Sequence, residues 1–223
     1  MIRLRPASIA ALLMCLSGVA RAAVVADFVT DFSSTSNPSG AWSYGYTTSL
    51  GGSLSLFTNM LDRSGAGDFR YDWNTGPSTP LVGVLIPAAS ASSGILHPGA
   101  TGVYADARYT AQSAFTAYLD TAFASGDATT TDVHVLLNGV SLFDAPIDGT
   151  TPTQVFQASF AVQAGDTIDF VAGMGSNGSN QFDTTYFTAT LSGSPIPEPM
   201  TIAVLSVGLG GLSLARRRRV ASQ

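Results

Sequence analysis

Apolar and polar residues alternate with a period of two along the second half of the chain, and this pattern limits the fold more than any other feature. Every second residue is apolar across residues 115–119, 133–137 and 156–162, and Phe123 continues the apolar face of the first run. Since successive side chains of a strand point to opposite faces, the pattern predicts strands with one buried face. Asn138-Gly139 lies between two such runs. It predicts a type I′ hairpin, because both turn positions require a positive φ.

The first half of the chain follows the same rule less regularly. No stretch of ten or more residues shows a convincing helical period with caps. Short strands separated by turn residues at intervals of about 8–12 residues are typical of two packed sheets. The sequence therefore predicts an all-β fold, a β-sandwich of the jelly-roll kind. The predicted strands of this half are residues 24–32, 42–46, 53–58, 69–73, 81–86 and 103–110.

Three stretches of this region carry a resemblance to known domains. They are Thr131 to Gly139, the following Ser141-Leu142-Phe143, and Gly165 to Phe170. Together they resemble jelly-roll domains of exported bacterial proteins, which are similar in shape to carbohydrate-binding modules and galactose-binding-like sandwiches. The resemblance covers about residues 95–192 and implies a fold more directly than a function.

The first 22 residues have the organisation of a signal peptide. Arg3 and Arg5 form a charged start, residues 7–19 form an apolar core, and Ala20-Arg21-Ala22 is a small-x-small cleavage site. The apolar core is too short to span a bilayer. We therefore expect cleavage after Ala22, which leaves residues 23–194 as an exported domain of 172 residues.

The last 29 residues, 195–223, form a distinct tail. Prolines at its start break the preceding strand pattern, and Met200 to Ala215 then contains no charge. As a helix this segment would be ~24 Å long, short against a hydrocarbon core of ~30 Å. Four consecutive arginines follow and favour the cytoplasmic side. The tail therefore predicts a short C-terminal transmembrane helix, with the domain on the far side of the membrane.

The order of these elements resembles the PEP-CTERM sorting domain. The matching residues are Pro197, Glu198, Pro199, Arg216, Arg217, Arg218 and Arg219. The resemblance implies processing by an exosortase near the Pro-Glu-Pro motif, in a Gram-negative bacterium that makes exopolysaccharide. It also implies transient anchoring in the inner membrane and a final place at the cell surface or in the extracellular matrix. An ordinary single-pass anchor is the alternative.

The charge of the predicted domain excludes several partners. Residues 23–194 contain no lysine and only three arginines, against fourteen aspartates, for a formal charge of −11. Such a field repels phosphate backbones and anionic lipids, so we expect no nucleic-acid binding. Divalent cations and neutral polymers suit it better. The only cysteine of the chain, Cys15, lies in the signal peptide, so this domain holds no disulfide.

Catalytic signatures are lacking in the sequence. The two histidines, His97 and His134, fall in a predicted turn and on the outer side of a predicted strand, and neither a GxSxG elbow nor an HExxH helix occurs. We therefore expect no enzyme activity. Among fourteen aspartates a pair could still face each other as in glycosidases, so a glycan-acting hydrolase or lyase remains an alternative.

Two kinds of binding residue are predicted. Asp27, Asp31 and Asp183 fall near the first and last strands, where carboxylates on separate loops can hold a structural calcium ion. Trp42, Tyr44 and Tyr46 alternate along one strand and would stack on sugar rings if exposed. The alternative is that these three rings fill the core.

These observations together predict an exported, non-catalytic surface or matrix protein that binds or associates with exopolysaccharide. The alternative from another class is a structural or adhesive protein that binds other proteins.

Overall fold

Short antiparallel strands make up almost all of the regular structure. The computed structural model describes residues 22–64, 70–76, 79–85, 93–100, 102–149 and 153–195. One helical turn, α1, covers Phe28–Asp31. The strands are β1 (Ala23–Asp27), β2 (Trp42–Thr47), β3 (Ser55–Leu56), β4 (Asn59–Asp62), β5 (Arg70–Asn74), β6 (Leu81–Leu85), β7 (Gly94–His97), β8 (Tyr104–Thr110), β9 (Phe115–Ser125), β10 (Asp132–Leu137), β11 (Val140–Pro146), β12 (Gln154–Val162), β13 (Thr167–Gly173) and β14 (Thr185–Pro195).

The strands form two sheets, as a β-sandwich requires. The eight-stranded sheet has the order β12-β9-β14-β7-β6-β5-β4, and β1 pairs with β14 beside β7. The six-stranded sheet has the order β11-β10-β13-β8-β2-β3. The predicted all-β, two-sheet architecture is therefore confirmed.

One core joins the inner faces of the two sheets. Along β9, buried and exposed residues alternate as the sequence pattern predicts, with Leu119 and Phe123 fully buried. Phe187 of the eight-stranded sheet lies 5.9 Å from Phe170 of the six-stranded sheet, measured between ring centroids. Phe28 of α1 also packs against Phe187, at 4.4 Å. Aromatic rings at such separations contribute both buried area and favourable ring geometry.

The predicted hairpin at Asn138-Gly139 is confirmed. Asn138 has a φ of 52° and Gly139 a φ of 78°, and Leu137 pairs with Val140 across the turn. Asparagine and glycine tolerate this left-handed region best, which explains their use at the two positions.

The structure departs from the predicted strands in the first half. The predicted strand 24–32 ends at Asp27, because Asp27 caps α1 by accepting a hydrogen bond from the N–H of Thr30 at 2.9 Å. Strands β4 and β7 were not predicted. At the other end, β14 continues to Pro195, one residue beyond the predicted end of the domain.

The loop between β2 and β3 lies across the outer face of the six-stranded sheet. A Cβ atom placed on Gly51 would lie 2.4 Å from the carbonyl oxygen of Gly139, in the β10–β11 turn. A Cβ atom on Gly45 would lie 2.8 Å from the side chain of Leu54. Only glycine permits such close approach, so this loop is held tightly against the sheet.

The predicted signal peptide, except Ala22, lies outside the described residues, as do the Pro-Glu-Pro motif, the predicted C-terminal transmembrane helix and the arginine cluster. Within the described part of the chain, no helix is long and apolar enough to cross a membrane.

Candidate functional site

The predicted sugar-stacking row on β2 is buried. Trp42 is 1% exposed and Tyr44 is fully buried, and both point into the core between the sheets. Tyr46 is partly buried and stacks on Phe57 with ring centroids 5.7 Å apart. Alternation correctly indicates that the three rings share a face, but that face is the inner one. A sugar cannot reach Trp42 or Tyr44, so the prediction of an exposed row is wrong.

The polar atoms of these buried rings have partners inside the protein. The indole N–H of Trp42 donates to Asp31 Oδ2 at 3.3 Å, and the N–H of Ser33 donates to the hydroxyl oxygen of Tyr44 at 3.1 Å. Burial raises the pKa of Tyr44 to about 12. The polar atoms of buried Trp and Tyr side chains usually form such hydrogen bonds. These contacts therefore identify both rings as structural.

Two of the three predicted calcium ligands lie together beside a shallow cleft. Asp27 and Asp31 line it with Thr30, Thr190 and residues 24–26, and its volume is about 360 Å³. Burial alone would raise the pKa of Asp27, but hydrogen bonds from Thr30 and Thr190 lower it. Asp31 Oδ2 accepts from the N–H of Asp27 and from the indole of Trp42. Both carboxylates thus cap local structure.

Asp183 lies elsewhere, which contradicts the predicted three-residue calcium site. It precedes β14 and accepts from the N–H of Thr130 at 3.1 Å. Asp27 pairs with Thr190, whereas Asp183 comes before the start of β14 at Thr185. The five residues from Thr185 to Thr190 alone span roughly 17 Å, so Asp183 lies at least that far along the strand from the residue opposite Asp27. Among the described residues, no group of three or more His, Cys, Asp or Glu side chains could hold a metal ion.

The position of His134 on the outer side of its strand suggested exposure to solvent. In the structure it is buried and held between two carboxylates. Its Nδ1 lies 2.5 Å from Asp144 Oδ1 and its Nε2 lies 2.8 Å from Asp132 Oδ2. Burial alone would lower the pKa of His134, but the two carboxylates raise it above its ordinary value. Because both ring nitrogens are engaged, the imidazole acts as a cross-strand clamp between β10 and β11.

A pair of carboxylates does meet on the outer face of the six-stranded sheet. Burial and the charge of Asp169 raise the pKa of Asp106 well above its usual range, while Arg108 opposes the shift. Arg108 binds Asp169 through Nε at 2.5 Å. A glycosidase pair needs a cleft that admits substrate. Asp106 and Asp169 are 1% and 0% exposed, so substrate has no access to them.

The three arginines of the domain all form ion pairs with aspartates. Arg63 and Arg70 both reach Oδ2 of the buried Asp72, at 3.2 and 3.1 Å. Arg108 pairs with Asp169 as described above. Since residues 23–194 contain no lysine, each of their formally positive side chains is paired with an aspartate.

The outer face of β12, β9 and β14 exposes an aromatic ring among polar side chains. Tyr118 is 42% exposed at its centre. Ser159 of β12 and Ser192 of β14 lie directly opposite Tyr118 on either side. In the next row, Asp120 lies between Gln157 and Thr190. This surface, called the Tyr118 face below, combines one aromatic ring with hydroxyl, amide and carboxylate groups. Strand alternation revealed the outward positions, but only the sheet order brings the three strands together.

No protein family and no curated protein matches this chain. Among solved structures, CBM51 from Clostridium perfringens GH95, in complex with methyl-galactose, matches with a TM-score of 0.34 and 16% identity, over 48% of this chain and 78% of that one. The tandem CBM51 modules of a Streptococcus pneumoniae family 98 glycoside hydrolase match with a TM-score of 0.40 and 10% identity, over 70% and 49%. The carbohydrate-binding module CBM36, in complex with calcium and xylotriose, matches with a TM-score of 0.30 and 18% identity, over 51% and 87%. At these TM-scores the likenesses assign no function to this chain.

Proposed function

We propose that this protein is an exported, non-catalytic component of the bacterial cell surface or extracellular matrix. Its β-sandwich associates with exopolysaccharide, and an exosortase processes its C-terminal tail. The tail and the signal peptide supply the argument for the location. The observation that supports the binding function is the exposed Tyr118 on a sheet face whose neighbouring side chains carry no positive charge.

The chemistry of the Tyr118 face fits a sugar polymer. An exposed tyrosine offers an apolar ring for stacking and a hydroxyl for hydrogen bonding. Ser159 and Ser192 flank it on the two neighbouring strands, and Asp120 and Gln157 lie one row away. Three neighbouring strands can present such groups in rows to an extended sugar chain. The net charge favours a neutral polymer over an anionic one.

The test is titration calorimetry of the protein with exopolysaccharide purified from the producing organism, compared with an anionic polysaccharide. We expect saturable binding to the neutral polymer, weakened about tenfold in Tyr118→Ala, because a contact with one aromatic ring is worth about 0.5–1.5 kcal/mol and 1.4 kcal/mol is a tenfold change in affinity. Phe182→Ala is the matched control, since Phe182 is 67% exposed but lies in the β13–β14 loop.

Two results would contradict the proposal. One is an equal loss of binding in the Tyr118→Ala and Phe182→Ala variants, which would indicate nonspecific adhesion of exposed rings. The other is an absence of heat with every polymer. In that case the protein would be a structural or adhesive component that binds proteins.

A further inference from the structure

Strand β12 is an open edge of the eight-stranded sheet. It pairs with β9 through nine consecutive residues without any shift in register. No other strand of the described chain pairs with its outer side. Among the described residues outside β9, none forms a backbone hydrogen bond with residues 155–161. Open edges of this kind are sites where a second chain can add a strand.

Every other sheet edge of the described chain carries a feature that blocks pairing, and β12 does not. Strand β1, which pairs only with β14, has five residues, ends in Asp27 and has a register shift against β14. Strand β11 ends in Pro146, contains Asp144 and has a register shift against β10. Strand β3 has two residues and β4 has four. Proline, charge, irregular register and short length are the usual means of blocking edge pairing. Strand β12 has nine residues and none of these features. In a domain with a formal charge of −11, this long uncharged edge is unusual.

The residues of β12 are self-complementary about Ala158. An antiparallel second copy with its two-fold axis at Ala158 brings chemically matched residues together. Directly opposite each other would lie Val155 and Ala161, Phe156 and Phe160, Gln157 and Ser159, and the two Ala158 residues. A two-fold interface of this kind uses the same surface on both subunits.

Partial burial of two phenylalanines favours this pairing. Phe156 and Phe160 point to the inner side of β12 but are only partly buried, because the sandwich ends there. Phe156 stacks on Phe143 of β11 with ring centroids 5.1 Å apart and remains partly exposed. In the antiparallel pair, Phe156 of one copy would cover Phe160 of the second. Cross-strand aromatic pairs stabilise sheets more than alanine pairs do.

We infer that the partner of the β12 edge is a second copy of this chain, paired antiparallel about Ala158 to join two eight-stranded sheets into one. A single-strand contact is small compared with standard interfaces of ~1,600 Å². The resulting dimer is therefore weak, and covalent trapping is the appropriate measurement. The inference goes beyond the proposed function and is independent of sugar binding.

The first experiment uses disulfide trapping of the full chain carrying Ala158→Cys, with Cys15→Ala to remove the natural thiol. Opposite residues of an antiparallel pair have Cα atoms about 4.5–5.5 Å apart, within the range of a disulfide. The control is Val155→Cys, whose two copies would lie six residues apart, roughly 20 Å. Val155 is 56% exposed, whereas Ala158 is partly buried, so random collisions would favour the control.

We expect Ala158→Cys to form a dimer at least tenfold faster than Val155→Cys under mild oxidation. Equal rates, or a faster reaction of the control, would overturn the inference. If Ala158→Cys disturbs folding, separately purified Gln157→Cys and Ser159→Cys chains provide a second test, since both positions are exposed. When mixed, they should form the heterodimer in preference to either homodimer.

A charge exchange tests the register itself. With Gln157→Lys and Ser159→Lys together, lysines of the two copies lie opposite each other, and we expect trapping of Ala158→Cys to fall about tenfold. With Gln157→Glu and Ser159→Lys together, opposite charges meet and trapping should persist. Equal trapping in the two variants would refute the pairing. Tyr118→Ala should not change trapping, which separates this inference from the proposed function.

Discussion

Replacement of Trp42 by alanine separates a structural role from a sugar-binding role. Trp42 is 1% exposed, and its ring lies 5.2 Å from Phe28 and 5.6 Å from Tyr109 in edge-to-face geometry. A buried tryptophan removes up to about 250 Å² from water, or ~6 kcal/mol at 25 cal/mol per Å² as an upper bound. In other proteins, replacing a core Trp by Ala lowers the free energy of unfolding by about 3–5 kcal/mol, a value that includes the cost of the cavity left behind. We therefore expect Trp42→Ala to lower the free energy of unfolding by about 4 kcal/mol.

The assay is thermal and denaturant unfolding followed by near-ultraviolet circular dichroism. For a domain of this size, about 4 kcal/mol corresponds to a fall in Tm of roughly 8–16 °C. Trp42→Phe should lose about half as much because it retains a ring in the cavity. Tyr118→Ala, on the exposed face, should change stability by less than about 1 kcal/mol. A Trp42→Ala protein with unchanged Tm but lost sugar binding would refute the structural role and restore the sugar-stacking prediction.

Two further predictions concern His134 and the sorting tail. The pKa of His134 is higher in the folded state than its unfolded value of 6.5. Its contribution to the free energy of unfolding is therefore complete below pH 6.5 and is lost as the pH rises through the folded pKa. His134→Gln should therefore lower the free energy of unfolding by about 1–2 kcal/mol near pH 5 and by less near pH 9, as measured by urea titration. A loss of stability that does not change with pH would contradict this prediction. In the producing cell, Glu198→Ala should leave an unprocessed chain in the membrane fraction on immunoblots. Normal processing of that variant would show that the Pro-Glu-Pro motif is not the recognition element.

Features that depend on neighbouring residues were predicted well. The alternation in β9 and the hairpin at Asn138-Gly139 follow from backbone geometry over a few residues, and both occur in the structure. The helical turn after Asp27 was missed, although Asp27 is a suitable N-cap residue, because α1 is only four residues long. Strands β4 and β7 are also four residues long, too short for a period to be recognised.

Features that depend on distant residues could not be predicted from the pattern. Alternation on β2 shows that Trp42 and Tyr44 share a face, but the second sheet decides whether that face is inner or outer. Likewise, nothing near Asp183 in sequence indicates its contact with Thr130, 53 positions away. The edge position of β12 follows from the order of the whole sheet. These properties depend on contacts between residues that are distant in the sequence, so a local pattern of residues cannot predict them.

The distribution of charge links the two proposed contacts. Each arginine of the domain is paired with an aspartate, two of them with the buried Asp72. The positive side chains are therefore engaged within the fold, and the net negative charge of the domain disfavours an anionic partner. Long-range repulsion opposes contact between copies of such an acidic domain, and between the domain and acidic polymers. Association must then occur where the surface itself has little charge. The Tyr118 face and the adjoining β12 edge meet this condition, which is why a neutral polymer and a second copy are the partners that physical chemistry favours.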